Sequence, residues 1–292
     1  SFGDNDDCIG ELVGAENAGL KAMFTMMNSA RINVGNQGVQ IAERALQQAS
    51  AYARDRIQSP RAGSADKAPV AIIEHPDVRR LLMRMRALTE GSRALLYYTA
   101  GQVDRGTLGD QAAQQRAELL VPMLKAWATD IGCEVASLGI QVHGGMGFVE
   151  ETGAAQHYRD ARIAPIYEGT NGIQAMDLVG RKLGKEGGRA VRAFFEEVAR
   201  DIAEARSAGD PAGIAGPLEK ALGDIRVIVE RNFHPSYYSR DNLVVWLPIY
   251  ELATHDLDMR SDVLQRDDED HGLTGLDIGT LEERRPRLGP RC

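Results

Sequence analysis

The sequence predicts an all-α fold, an antiparallel bundle resembling a four-helix bundle. Three observations carry that expectation: three apolar stripes at helical spacing, glycine- or proline-bearing breaks between them, and no strand-rich region afterwards. From Phe24 to about Arg56, apolar or small residues recur at Met27, Ala30, Val34, Gly38, Ile41, Ala45, Ala49 and Tyr52, which is one face of a long helix. Ser59-Pro60 and Gly63-Ser64 end it. His75-Pro76-Asp77 then opens a second stripe through Val78, Leu81, Leu82, Met85, Leu88, Ser92, Leu95 and Thr99, with proline near the first turn. A glycine-rich link, Gly101 to Gln111, leads to a third stripe, Ala117, Leu120, Leu124, Trp127, Ile131, Val135, Leu138 and Val142, stopped by Gly144-Gly145. Each stripe must be covered, and short links make consecutive antiparallel neighbours the natural solution.

Shorter helices follow. Thr152 is placed to cap one running to Arg162, and Thr170 to cap another through Ile173, Met176, Leu178, Val179 and Leu183. Two amphipathic segments, 189–206 and 217–231, flank the Gly/Pro-rich link from Ser207 to Pro217. Before Leu20, short apolar pairs such as Cys8-Ile9 and Leu12-Val13 fit the end of a strand-containing unit. The expected organisation is therefore residues 1–20 as the end of a β-domain, 21–185 as a helical bundle, 186–231 as additional helices and 232–292 as a weakly ordered or divergent tail. The opening on Ser1 without an initiator Met leads us to expect a segment of a longer protein.

At 292 residues and 43% hydrophobic, the chain can bury a real core. Its formal charge of -8 gives no electrostatic footprint for nucleic acid or an anionic membrane, and no apolar run is long enough to span a bilayer. Cys8, Cys133 and Cys292 are few and lack metal-ligand spacing, so neither a disulfide framework nor a zinc site is expected and a reducing cytoplasm is the default. The acidic stretches near Asp4 and Asp267 lack an EF-hand's glycine and distal glutamate, and no metal is assigned.

Two motifs invite chemistry. In IAPIYEGTNGIQ, residues 163–174, Glu168 sits between an apolar run and a turn. Flanking Ile166, Tyr167 and Gly169 should desolvate its carboxylate, raise its pKa and make it a stronger base. A carboxylate stabilised near the N-terminus of the following helix explains the local pattern equally well. In QVHGGMGF, successive glycines after a long helix free backbone amides for a ligand, although this is not a dinucleotide fingerprint and a plain helix terminus accounts for it.

Taken together and in order, the motifs SARINVGNQGVQIAERALQQASAYARDRIQ, IIEHPDVRRLL and IGCEVASLGIQVHGGMGFVEETGAAQHYRDARIAPIYEGTNGIQ resemble the C-terminal helical domain of the acyl-CoA dehydrogenases over roughly residues 10–185. The stretch EETGAAQHYRDARIAPIYEGTNGIQAMDLVGRKL and the helices beyond it are most similar to the larger members related to 3-methylmercaptopropionyl-CoA dehydrogenase. The resemblance implies that Glu168 is the base removing an α-proton from an acyl-CoA thioester, with FAD accepting hydride, and that Gly169 leaves room for the thioester. It implies FAD contacts at Thr170 and Gly172. It implies another cofactor contact at His75 and, from a neighbouring subunit, contacts at Arg56, Gln58 and the run Gln141, Val142, His143, Gly144 and Gly145. Asn28 and Arg31 match the CoA-contacting pair. Pro76 replaces the family's usual glutamine, and Asn28 stands where an aspartate is common.

The implied activity is α,β-dehydrogenation of an acyl-CoA, with 3-(methylthio)propanoyl-CoA as a candidate substrate, an electron-transfer flavoprotein as acceptor and a homodimer or homotetramer as assembly. An acyl-CoA oxidase would use the same base. A non-catalytic helical scaffold or DNA-associated relative is the alternative of a different class, against which the intact Glu168 turn and the negative charge count. Without the family's other domains, the segment alone is expected to be inactive.

Overall fold

The computed structural model describes residues 3–5, 8–210 and 213–232. Three long helices dominate: α1 (Gly19–Asp55), α2 (Pro76–Thr107) and α3 (Gln111–His143). They run up, down and up. Glu43 of α1 pairs with Arg93 of α2, and Arg84 of α2 pairs with Glu134 of α3. The two outer helices are parallel to one another, since Gly35 lies against Leu124, Gly38 against Ala128 and Ala45 against Gly139. Their shared core holds Ala42, Ala45, Ala49 and Ala53 of α1, Leu81, Leu82, Met85 and Leu88 of α2, and Ile131, Val135, Ala136 and Val142 of α3. The small residues of α1 let the helices approach closely, and the larger side chains of α2 and α3 fill what remains.

Links between these helices differ from the sequence expectation in two places. Helix α2 continues through Gly101 and Gly106 to Thr107, leaving only 108–110 as the connection. Packing outweighs glycine's weak helix propensity here: Gln102 is buried, and Gly106 lets the end of α2 approach the start of α3. Asp110 then caps α3, accepting from the Ala113 amide at 3.0 Å, and pairs with Arg105 at 2.6 Å. Between α1 and α2, β1 (Ile57–Pro60) and β2 (Pro69–Ala71) form an antiparallel two-stranded sheet, with Ile57 opposite Ala71 and Pro60 opposite Pro69. This hairpin was not expected. Its strands are short and each contains a proline, which removes a ladder donor.

The fourth position of the bundle is filled in pieces. After a single turn, α4 (Gly145–Phe148), come α5 (Ala154–Ala161) and α6 (Asn171–Asp177), both packed on α3. The N-cap of α5 is Gly153, at φ 73°, rather than Thr152, whose hydroxyl donates to the Met146 carbonyl at 2.7 Å. Thr170 caps α6 as expected, its Oγ1 accepting from the Ile173 amide at 3.3 Å. The helix then widens into a π-helical segment, Leu178–Leu183. Helices α7 (Arg189–Ser207) and α8 (Ala215–Asn232) form a second core, with Leu119 of α3 and Leu183 meeting Val191, Phe195, Ile202, Leu222 and Val229. Arg116 of α3 ties α7 down by donating to Glu197 and to Tyr98 Oη, each at 2.8 Å.

Among the described residues before α1 there is no strand. Ile9, Leu12 and Val13 are 92%, 71% and 94% exposed: with no partner strand there is no ladder to hold an extended conformation. The expected tail, apart from Asn232, lies outside the described residues. No helix among the described residues is long and apolar enough to cross a membrane.

Candidate active site and cofactor-contact surface

The connection from α5 to α6 places Glu168. Residues 163–167 turn back on themselves, with Ile166 and Tyr167 amides donating to the Ile163 carbonyl at 3.0 and 3.2 Å. Glu168 then adopts φ 55° and Gly169 φ 84°, two successive left-handed residues. For glutamate this conformation costs on the order of 1 kcal/mol or more, so surrounding contacts must impose it. They do so through long-range contacts. The buried Lys125 of α3 donates from Nζ to the Gly169 carbonyl at 2.7 Å and to Asn171 Oδ1 at 3.0 Å. Gln174, 1% exposed, donates from Nε2 to the carbonyls of Gly169 and Glu168 at 3.2 and 3.3 Å. The Asn171 amide closes the turn onto the Pro165 carbonyl at 3.0 Å. Gly169 is required twice over, by its φ and because a Cβ there would lie 2.9 Å from Gln174 Nε2.

The Asn171 side chain anchors the turn to α3 by donating to Asp130 Oδ1 at 2.8 Å and to the Ala126 carbonyl at 3.1 Å. Burial pushes the Asp130 carboxyl up to about 6, against the opposing pull of Asn171, Lys125 and Arg162. Burial likewise brings the Lys125 ammonium down to about 8, although Asp130 and Glu168 favour its charge. The backbone of the turn is thus held by a cation, and among the described residues no hydrogen-bond donor reaches the Glu168 carboxylate itself. Glu168 is half-buried. Its apolar neighbours do not enclose it as the sequence suggested. Ile163 and Ile166 are 54% and 51% exposed because the turn directs them outward, and Tyr167 is held by a hydrogen bond to Gln37.

Arg31 and Asn28 lie on α1 near this turn. Arg31 was expected at the CoA, yet it is 3% exposed and its guanidinium is committed to Asp177 at 2.6 Å. Asp177 also pairs with Arg181 at 2.7 Å. Asn28 is half-buried one turn earlier, while Thr170 and Gly172 are exposed at the start of α6.

The remaining predicted residues gather at the C-terminal end of α3. His75 Nε2 donates to the Gln58 carbonyl at 2.8 Å, the Ile72 amide donates to the Arg56 carbonyl at 2.8 Å, and the side chains of Arg56 and Gln58 are exposed. Tyr52 stacks on His143, ring centroids 4.3 Å apart, which brings this cluster beside the end of α3. Gln141, Gly144 and Gly145 are exposed there, and a Cβ on either glycine would meet nothing within 4 Å. Val142 and His143 point inward instead. Val142 joins the main core, and His143 donates from Nδ1 to the Gly139 carbonyl at 2.7 Å, so neither side chain is available to a ligand. From Lys125 to His143, α3 rises about 27 Å, so the two groups of residues are far apart within one chain.

Sequence reasoning missed Lys125, Asp130, Asn171, Gln174 and Asp177. A signal existed for Lys125: it lies one turn from Val121 and Ala128 inside VPMLKAWA, a position where the third helix is otherwise apolar. The partners themselves are more than forty residues distant for Lys125 and Asn171, and no local pattern joins them.

Comparison with known proteins gives the same reading of the ordered motifs. The family described as acyl-CoA dehydrogenase, C-terminal domain, matches residues 17–183. A 3-methylmercaptopropionyl-CoA dehydrogenase of Ruegeria pomeroyi is 58% identical over 212 residues, covering 71% of this chain and 36% of that protein. A butyryl-CoA dehydrogenase of Syntrophomonas wolfei is 33% identical over 244 residues, covering 80% of this chain and 40% of that protein. In fold, the chain is similar to Caenorhabditis elegans ACDH-11, crystallised with C11-CoA, at a TM-score of 0.68 and 22% identity over 84% of this chain and 41% of that one. The chain thus spans well under half the length of these relatives. With the glycine turn, the glutamate turn and the long helices in the family's order, the chain belongs to the acyl-CoA dehydrogenase family and carries its C-terminal helical domain.

Proposed function

We propose that the protein to which this chain contributes oxidises an acyl-CoA thioester at its α,β bond, with Glu168 as the base that removes the α-proton. One observation carries the reading. Glu168 is a non-glycine residue held in a left-handed conformation by a buried ammonium and a buried amide, and among the described residues no donor occupies its carboxylate. A proton acceptor needs a fixed position and an unoccupied lone pair, and a well-placed general base contributes about 10²- to 10⁴-fold in rate.

The residues present suit FAD, which when bound supplies the hydride acceptor. Thr170 and Gly172 are open to a ligand at the start of α6. Near the C-terminal end of α3, the exposed guanidinium of Arg56 and the open Gly145 amide offer a cation and a donor to a diphosphate, the Gly144 amide being already committed to the Gln141 carbonyl at 3.1 Å. The separation of these two groups, about 27 Å along α3, supports contributions from two copies of the chain to one cofactor, as in a homodimer or homotetramer. Asn28 takes the CoA contact at the surface, while Arg31 acts from beneath, fixing α6 to α1 through Asp177. The 58% identity to a 3-methylmercaptopropionyl-CoA dehydrogenase favours 3-(methylthio)propanoyl-CoA as substrate, with an electron-transfer flavoprotein receiving the electrons.

The test uses the full-length flavoprotein containing this chain. Anaerobic addition of 3-(methylthio)propanoyl-CoA should bleach the flavin, and Glu168→Gln should abolish bleaching while FAD stays bound. Bleaching at near the wild-type rate in that variant would assign the base elsewhere. Reoxidation should be fast with electron-transfer flavoprotein and slow with oxygen; the reverse makes the protein an oxidase.

A further inference from the structure

The Lys125 ammonium lies in an expensive place. Its side chain is 0% exposed, and burying an ammonium is costly unless its donors are used and its charge is balanced. Among the described residues it has two acceptors within hydrogen-bond distance, the Gly169 carbonyl and Asn171 Oδ1, and both belong to the turn that carries Glu168. A methionine of similar length would fill the same volume without the desolvation penalty. The charged groups acting on Lys125 are Asp130 on α3, Arg31 on α1 and Glu168 in the turn. The turn also carries an unfavourable backbone, with Glu168 at φ 55° and Gly169 at φ 84°.

Resting on Glu168 as the base, we propose that Lys125 is its positioning residue: by gripping the Gly169 carbonyl it holds the left-handed turn that aims the Glu168 carboxylate. Gln174 donates to the same carbonyl at 3.2 Å, longer than the 2.7 Å of Lys125, and is the weaker clamp. Asn171 relays the restraint to α3 through Asp130, so the turn and the helix move as one body. No bond to the substrate is required of Lys125. Its effect is confined to where the carboxylate stands, and a displacement on the order of 1 Å at a reacting group costs about 10²-fold in rate.

The experiment is a double-mutant cycle in the full-length holoprotein, using Lys125→Met, Glu168→Asp and the pair, with Glu168→Gln as the reference for the base. Flavin reduction is followed anaerobically at saturating acyl-CoA, and the Kd for the thioester is measured by titration. Lys125→Met should slow reduction by about 10- to 100-fold with Kd changed by less than about threefold. Combined with Glu168→Asp, which already misplaces the carboxylate, it should cost at least tenfold less than in the wild-type background. Additive losses, or a loss that appears only in Kd, overturn the positioning role. Lys125→Gln, whose amide ends one bond short of the Nζ position and so gives up the 2.7 Å bond to the Gly169 carbonyl, takes the place of Lys125→Met in the cycle if the methionine variant does not fold. The two assignments fail separately. Wild-type reduction in Glu168→Gln removes the base, whereas wild-type reduction in the Lys125 variant with Glu168→Gln inactive removes only the clamp.

Discussion

Gly38 of α1 and Gly132 of α3 bring their helix backbones into direct contact: a Cβ on Gly132 would lie 2.9 Å from the Gly38 Cα, and one on Gly38 would lie 2.2 Å from the Ala128 carbonyl oxygen. The obstacle is backbone, so it cannot rotate away. Alanine normally favours a helix over glycine by about 1 kcal/mol, but here the overlap forces α1 and α3 apart, at a cost of about 1–3 kcal/mol or more. Gly38→Ala and Gly132→Ala should therefore lower stability in urea titrations of the full-length protein. Gly101→Ala, where a Cβ meets nothing within 4 Å, should instead raise it by about 1 kcal/mol.

The Arg31–Asp177 pair is buried, with side chains 4% and 2% exposed, yet its two members are not equivalent. Asp177 keeps a second cation, Arg181 at 2.7 Å, when Arg31 is removed. Among the described residues Arg31 has no such reserve, and its Nε is already buried without a partner there. Asp177→Ala should thus be the more damaging change, in the range of about 3–5 kcal/mol expected when a buried charge is orphaned, with Arg31→Ala milder. Equal losses in thermal unfolding would show that Arg181 contributes nothing to the site.

The long helices were legible because an apolar period needs only local sequence, and Thr170 because a cap is a local hydrogen bond. The extent of α2 was not, since Gly101 and Gly106 look like breaks until the packing of Gln102 and the approach to Gln114 are seen. Glu168 was found through its motif, but its left-handed backbone could not be read: nothing in YEGTN assigns φ 55° to glutamate rather than to the glycine beside it. The clamp was equally hidden. Lys125 reaches Gly169 across 44 residues and Arg31 reaches Asp177 across 146, and such partners are set by how helices stack.

Asp130 gives the stability a defined pH dependence. Burial raises its folded-state pKa to about 6 from an ordinary value of 3.8, so between these values the folded protein binds more protons than the unfolded one. Stability attributable to Asp130 therefore falls as pH rises from about 4 to about 6 and levels off above. Asp130→Asn retains an acceptor for Asn171 and cannot ionise. In this variant the Tm difference between pH 4.5 and pH 7 should shift toward greater relative stability at pH 7. An identical Tm profile in variant and wild type would mean that Asp130 titrates alike in both states.

The backbone of Glu168 makes a last prediction that separates conformation from chemistry. At φ 55° a glutamate is strained by about 1 kcal/mol or more, a cost that glycine escapes and asparagine partly escapes, whereas a β-branched side chain suffers most. Glycine also gives back some of its gain, because its unfolded chain has more freedom to lose. Glu168→Asn and Glu168→Gly should consequently be as stable as wild type or more so by up to about 1 kcal/mol, and Glu168→Val less stable by about 1–2 kcal/mol. All three should fail to bleach flavin with acyl-CoA. A base-removing substitution that stabilises the fold would mean that the carboxylate is kept in the turn for its reaction and not for its contribution to folding. Should Glu168→Val match Glu168→Gly in urea titrations, the turn relaxes without cost, and the clamp from Lys125 and Gln174 is not holding a strained residue.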